Sequence, residues 1–243
     1  MRTPGRAHSP HMAGQSMTEF LIIFPLLIML VFGIIQFALI YQARATLNHA
    51  TLLAARAGAL HNGNKLEMRK ALAKGLVPLF AKEPDMVSYG NALLLDATPE
   101  VMSNMTEISV LNPTRAALAD FGRARIDNVG GRELPSDTLS YRNSNPGASS
   151  GISVQDANLL HLRVSYCFRL VVPVMSRVIH AGANALTPFS AALSANGMHD
   201  PFGTRGVAVP SLDCMNPLFR GPRIVIRSEA IVRMQSHFFE SNL

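Results

Sequence analysis

The stretch MAGQSMTEFLIIFPLLIMLVFGIIQFALIY, Met12 to Tyr41, decides the architecture of this chain. From Phe20 to Tyr41 the chain carries no charged side chain, and Gln36 is its one strongly polar residue. A helix of that length, at about 1.5 Å per residue, crosses a hydrocarbon layer of about 30 Å. Membrane helices tolerate proline and glycine, so Pro25 and Gly33 are compatible with this. The run therefore predicts a transmembrane helix.

The helical pattern continues beyond the apolar run. Residues 42–60, QARATLNHATLLAARAGAL, are rich in alanine, with small and apolar residues spaced by three and four positions. The turn-forming sequence HNGN at 61–64 then ends the pattern. These features predict one helix of about 45 residues, half of it in the membrane and half beyond it.

The composition excludes some functional classes and leaves others open. Hydrophobic residues make up 48% of the chain and charged residues 16%, which is more apolar than a typical soluble protein. The net charge is +6, but the basic residues are dispersed and there is no tryptophan, so no nucleic-acid partner is expected. The two cysteines, Cys167 and Cys214, have no zinc-type spacing. They are either free thiols or one disulfide, and export of the domain would favour the disulfide.

The remainder of the chain predicts an α+β domain with a small antiparallel sheet and flanking helices. The pattern mixes strands and helices without a regular strand–helix–strand alternation. The expected helices are 64–82, ending around Pro78, then 113–125, and a segment from Val172; the expected strands are 106–113, 158–170 and 222–236; residues 127–155 are expected to be an exposed loop.

Two features of the N-terminal region allow more than one interpretation. Glu19 lies at the leading edge of the apolar run, where it is either an interfacial charge favoured by the helix dipole or a functional carboxylate. Ala43-Arg44-Ala45 could be a signal-peptidase site, giving a soluble periplasmic protein that starts at Thr46. The apolar run is too long for a secretory signal, and the helical pattern passes straight through Ala45.

The sequence GQSMTEFLIIFPLL resembles the processing site of type IV pilin-like proteins. The longer segment GQSMTEFLIIFPLLIMLVFGIIQFALIYQARATLNHATLLAARAGA resembles the N-terminal region of TadE-like minor pilins, or pseudopilins, of tight-adherence (Flp, type IVb) pilus systems. GISVQDANLLHLRVSYCFRLVVPV and the closing EAIVRMQS are also similar to that family, whereas 61–150 is less distinctive.

The resemblance implies a processed membrane protein. A prepilin peptidase would cut between Gly14 and Gln15, and Glu19 with Phe20 would serve assembly by pairing Glu19 with the N-terminal amine of a neighbouring subunit. The organisation would be a cytoplasmic leader (1–14), a transmembrane and assembly helix (15–60) and a periplasmic domain (61–243). The protein would cross the inner membrane once and could enter a pilus.

The resemblance also implies partners and a disulfide. The partners would be the membrane, prepilin peptidase, other pilins or pseudopilins, and proteins of the pilus assembly platform. Within the periplasmic domain, Cys167 and Cys214 would form a disulfide. A minor role is expected because the bulk pilins of these systems are very short.

No enzymatic function is expected, and neither a cofactor nor a metal site. The chain has no nucleophile-elbow, zincin, Walker or dinucleotide-binding motif. His161 is expected to be structural or exposed, and nothing places Glu229 near Asp156, which is expected to cap a turn before a strand. The alternative function is that of a single-span inner-membrane protein whose external domain is a binding or cell-envelope module unrelated to pili.

Overall fold

The computed structural model describes residues 15–103, 105–125, 130–172 and 223–243. In these ranges the helices are α1 (Gln15–Leu60), α2 (Lys65–Leu76), α3 (Met86–Asn91), α4 (Thr98–Met102), α5 (Arg115–Phe121) and α6 (Val154–Ala157). The strands are β1 (Thr106–Asn112), β2 (Arg123–Ala124), β3 (Arg132–Leu134), β4 (Leu159–Arg169), β5 (Arg223–Arg233) and β6 (Phe238–Phe239). A π-helical turn, Ala92–Ala97, joins α3 to α4.

Helix α1 is continuous over 46 residues and passes through Pro25 without interruption. Its first half is almost entirely exposed, whereas a stripe of small and apolar side chains in its second half is fully buried against the domain. This confirms the prediction of one long N-terminal helix. The stripe consists of Ala43, Leu47, Ala50, Ala54, Ala55 and Ala59.

Helix α2 folds back on α1 because the chain reverses sharply after Leu60. Asn62 and Gly63 both have positive φ angles, 57° and 76°, and the side chain of Asn64 caps α2 by accepting from the Leu66 N–H. Gly75 then lies against Ala50, where a Cβ on Gly75 would be 2.6 Å from the Ala50 Cα. Small side chains on both helices allow this close backbone approach.

The main sheet has the strand order β1-β4-β5, and both pairings are antiparallel. Alternate residues are buried in the first half of β4, where the core face includes Leu160, Leu162 and Val164. This face packs on α1. The Leu160 side chain lies so close to Gly58 that a Cβ added at Gly58 would be 2.9 Å from it. At the other end of β4, the Val172 N–H bonds to the side chain of Gln36. Strand β4 therefore runs antiparallel to α1 and ends beside its apolar half.

A second, smaller sheet has the order β2-β3-β6. The predictions for residues 113–125 and 127–155 were partly wrong. The helix expected over 113–125 is shorter, because the Thr114 side chain caps α5 by accepting from the Ala117 N–H and the helix ends before Gly122. The segment 127–155 is not simply an exposed loop, since it contains β3 and the buried side chains of Leu134 and Leu139. Strands of two or three residues are too short to show an alternating pattern.

The fold class is confirmed as mixed α+β, with a long apolar N-terminal helix and antiparallel sheets. The strands expected over 106–113, 158–170 and 222–236 correspond to β1, β4 and β5. The helix expected over 64–82 ends as α2 at Leu76, followed by a 3₁₀ turn, Val77–Leu79, that contains Pro78. The helix expected from Val172 onwards lies, apart from Val172 itself, outside the described residues.

We expect Gly75→Ala to lower the free energy of unfolding by about 1–3 kcal/mol, because the added methyl group would collide with the Ala50 backbone. The matched control is Gly90→Ala in α3, where an added Cβ would meet nothing within 4 Å. That control should be neutral or gain about 0.5–1 kcal/mol from helix propensity. Denaturant unfolding of the detergent-solubilised protein measures both, and equal stability of the two variants would contradict the close α1–α2 crossing.

Candidate functional site, an apolar helix docked to the base of the domain

The first half of α1 presents an apolar surface around almost its whole circumference. In the part of the chain that the structure describes, α1 is the one helix long and apolar enough to cross a membrane. An exposed apolar surface of this size is unfavourable in water and indicates contact with lipid. Its exposed side chains include Phe20, Leu21, Ile22, Leu26, Leu27, Leu30, Ile34 and Phe37.

Three of the four residues predicted for processing and assembly, Gln15, Glu19 and Phe20, lie at the start of this helix. Gly14 lies outside the described residues, and Gln15 is the first residue of α1. Glu19 is exposed and makes no hydrogen bond or ion pair with a described residue. Phe20, also exposed, stacks on Phe24 with their ring centroids 5.2 Å apart. The Glu19 carboxylate is therefore free of described partners and accessible from outside the protein.

The four residues predicted to mark the transmembrane segment lie in different environments. Phe20 is exposed, Pro25 lies inside the continuous helix, and Tyr41 is 78% exposed. Gly33 is buried, although it lies in the apolar half of the helix. The described contact that lies furthest down α1 is the one between Val172 and Gln36.

Gln36 fixes the domain to the apolar half of α1. Its side chain is fully buried, and its Oε1 accepts a hydrogen bond of 2.9 Å from the Val172 N–H, just beyond β4. Its Nε2 is buried and has no hydrogen-bond partner among the described residues. A polar side chain within an apolar span is costly unless it is hydrogen-bonded, so this contact helps to hold the end of β4 against α1. The sequence showed Gln36 as an isolated polar residue but gave no partner for it.

A buried charged cluster, Glu100, Tyr166 and Arg223, joins α4 to β4 and β5. The Tyr166 hydroxyl donates to Glu100 Oε2, and Arg223 Nη2 donates to Glu100 Oε1 at 3.1 Å. Arg223 Nη1 also donates to the carbonyl oxygen of Cys167 at 2.9 Å. Burial, reinforced by the negative charge of Glu100, raises the pKa of Tyr166 far above its ordinary value. Tyr166 thus stays protonated and acts as a donor.

The cluster lies at the wall of a cavity of about 610 Å³ near the end of β4. Apolar side chains, including Leu79, Leu95 and Phe168, form much of its lining, and Arg169 and Asp96 bring further charges to it. The sequence does not predict this region, because residues 83–103 have no clear periodicity and Glu100 has no local sign of burial.

The outward face of the main sheet carries a separate ion network. Glu229 accepts from Arg163 Nε at 2.7 Å and lies 2.9 Å from His161 Nε2. Burial alone would raise the pKa of Glu229, but hydrogen bonds from Arg163 and His161 hold it below its ordinary value. His161 is thus a half-buried member of a surface network. Its contact with Glu229 is a structural ion pair of the sheet surface.

Among the described residues, Asp156 and Glu229 bond to different partners and not to each other. The cap expected of Asp156 belongs instead to Ser153, whose Oγ accepts from the Asp156 N–H and donates to the Asp156 carboxylate. Ser153 is the N-cap of α6 and Asp156 lies three positions later, at the third residue of the helix, where its N–H is the usual partner of an N-cap hydroxyl. Ser153 is the cap because a hydroxyl one residue before the helix reaches the free N–H groups of the first turn.

The predicted disulfide is only partly within the described structure. Cys167 is fully buried in β4, beside the charged cluster. Cys214 lies outside the described residues, so the pairing stays a prediction. In the described residues no group of three or more histidine, cysteine, aspartate or glutamate side chains is arranged as a metal site.

The N-terminal part of the chain matches a known protein family. The model of the family described as TadE-like protein matches residues 14–56, which include Gly14, Glu19 and most of α1. This confirms, for the N-terminal segment, the resemblance seen in the sequence, and it is consistent with a TadE-like protein of Tad pilus systems. No curated protein and no solved structure matches the chain.

Proposed function

From the TadE-like character of residues 14–56, we propose that this chain is a minor pilin or pseudopilin that a prepilin peptidase processes and that helps to assemble or initiate a tight-adherence pilus. The observation that carries the proposal is a single exposed carboxylate, Glu19, at the leading edge of an otherwise apolar helical surface. The protein would act by packing this helix against other pilins and the assembly platform.

The anchor supports a single membrane crossing. The exposed apolar half of α1 is long enough to span a bilayer, and the mixed α+β domain follows it in the chain. The proposed orientation has the leader in the cytoplasm and the domain in the periplasm. Basic residues on both sides of the span, Arg2 and Arg6 before it and Arg44 and Arg56 after it, do not choose between orientations. The orientation therefore rests on the family likeness.

The proposed cut after Gly14 differs from secretory processing in its physical result. It removes residues before the apolar segment, so the anchor stays in the mature protein. Glycine at this position lets a protease approach the backbone closely, since no side chain intervenes. The cut also produces a new amine at Gln15, one helical turn from Glu19.

Glu19 would then be a docking charge. A carboxylate taken into a membrane costs on the order of 2.5–3.5 kcal/mol at the centre of a span and less at its edge. Pairing with the N-terminal amine of a neighbouring subunit would offset that cost and would set the register between the two helices. The absence of a described partner within the chain is compatible with this role.

The experiment that tests processing is the intact mass and N-terminal peptide of the protein from membranes of a host that has the matching peptidase. We expect a mature start at Gln15 that is lost when the peptidase is deleted. Gly14→Val should retain the leader, whereas the control Gly5→Val, a glycine elsewhere in the leader, should be cut normally.

The other possible starts each support a different protein. A start at Met1 in the presence of the peptidase would contradict the proposal and favour the single-span binding or cell-envelope module. A start at Thr46 would contradict both and indicate a released periplasmic protein.

A further inference from the structure

We propose that the domain itself also contacts the membrane. An apolar surface of the domain, called the base, would lie beside α1 in the interfacial region of a bilayer of zwitterionic lipids. The base consists of Met86, Val87, Leu94, Leu95 and Val171. This inference rests on the proposed single membrane crossing of α1 and adds a lipid-contact surface to it.

The hydrogen bond between Val172 and Gln36 sets the height of the base. Gln36 lies about 26 Å along α1 from Glu19, at about 1.5 Å per residue. The hydrocarbon core of a bilayer is about 30 Å thick. With Glu19 at one edge of the core, Val172 lies just inside the other edge, at the depth of the upper acyl chains.

Leu95 and Val87 are connected to Val171 through the cavities that they line, and Met86 and Leu94 adjoin these two residues in the chain. Leu95 and Val171 line the same cavity, and Val87 lines a neighbouring cavity that shares Phe80 with the first. Their side chains are unusually exposed for apolar residues, at 85% for Met86, 70% for Leu95 and 63% for Val171. A set of large apolar side chains this exposed indicates a surface that is covered in the working protein.

Lipid is the covering that the surroundings favour. At the same height on α1, Ile34 and Phe37 are also exposed, so the base continues the apolar surface that faces the membrane. The exposed charged residues around the base have both signs and nearly cancel, as suits phosphatidylethanolamine or phosphatidylcholine head groups rather than an anionic surface. They are Lys82, Glu83, Asp85, Asp96 and Arg169.

The chain offers a direct test because it contains no tryptophan. Single tryptophans would be introduced into the full-length protein at three exposed positions: Leu95→Trp in the base, Leu27→Trp in the span, and Tyr141→Trp as a distal control. Each replaces an exposed side chain, so little packing is lost. The proteins are reconstituted into phosphatidylcholine–phosphatidylethanolamine vesicles, with and without lipids brominated on the upper acyl chain.

Tyr141 is a suitable control because it lies at the opposite end of the domain. Gln155 in α6 donates to the carbonyl oxygens of Leu139 and Arg142, on either side of Tyr141. Helix α6 immediately precedes β4, whose 11 residues separate this end from the base by roughly 33–36 Å.

We expect brominated lipid to quench the tryptophans at positions 27 and 95, with quenching at position 95 at least about twofold greater than at position 141, since interfacial apolar side chains lie within the acyl boundary. Quenching at 27 but not at 95 would overturn the inference and leave the membrane anchor standing. No quenching at 27 would instead contradict the membrane span itself.

A blue-shifted but unquenched tryptophan at position 95 would also overturn the inference, because it would show that protein, such as a second copy of this chain, covers the base. Leu94→Trp, at a neighbouring exposed position, guards against a local folding defect in the Leu95 variant. Both positions should give the same result if the base lies in lipid.

Discussion

Replacing Glu19 by alanine is expected to reduce incorporation of the protein into pili by about 100-fold, while the protein remains in the membrane. The basis is that losing one partner of a desolvated charge pair costs on the order of 2–5 kcal/mol, and about 1.4 kcal/mol corresponds to a factor of ten. Membrane insertion should be unharmed, because the substitution makes the leading edge of α1 more apolar. The measurements are the amount of protein in sheared pilus fractions and in membrane fractions.

The matched control is Ile22→Ala, three residues further along the same helix. Its side chain is 76% exposed and apolar, so the substitution removes bulk but no charge. Incorporation of this control should stay close to normal. The mass of the Glu19→Ala protein must also be determined, so that a defect in processing is not mistaken for one in assembly. A correctly processed Glu19→Ala protein that assembles normally would contradict the docking role of Glu19.

The second large effect is expected in the buried cluster. Arg223→Met should lower the free energy of unfolding by about 3–5 kcal/mol, because it leaves the buried Glu100 carboxylate without its cationic partner. Glu100 and Arg223 are both almost fully buried, with side-chain exposures of 11% and 3%. The Tyr166 hydroxyl would still donate to Glu100, but a neutral donor does not balance the charge.

Arg163→Met is the control for that substitution. Arg163 also lies in a strand of the main sheet and donates to a carboxylate, that of Glu229, at 2.7 Å. That pair is partly exposed to solvent, so its loss should cost no more than about 1 kcal/mol. Denaturant unfolding in detergent compares the two variants. Equal destabilisation would show that burial does not determine the contribution of the Glu100–Arg223 pair.

The ion network of Glu229 also has an expected direction with pH. Its carboxyl has a lowered pKa in the folded protein. The stabilisation of the folded state by the ionised Glu229 is therefore fully present above the ordinary pKa of a glutamate. It is lost as the pH falls through the lowered pKa. In the Arg163→Met variant this acid-side loss should be smaller than in the unmodified protein, because one of the two hydrogen bonds that lower the pKa is gone.

The sequence alone determined the elements whose signals are local. The apolar run that begins at Phe20 and the alanine-rich segment after it predicted α1, because helix formation and lipid contact depend on consecutive residues. Strands β4 and β5 were predictable for the same reason, since 11 residues in each give enough alternation to detect. Glu19 could be singled out because a charge beside such a run is visible in the sequence.

The tertiary structure decided everything that depends on distant partners. Gln36 meets Val172, 136 positions away, and Glu100 meets Arg223, 123 positions away. No local pattern encodes these contacts, and a carboxylate such as Glu100 is expected at the surface until its partners are known. The same holds for β3 in the small sheet, which pairs with β6 from a distant part of the chain. Local periodicity sets which residues form helices and strands, whereas the burial of a polar group depends on which distant groups the fold brings to it.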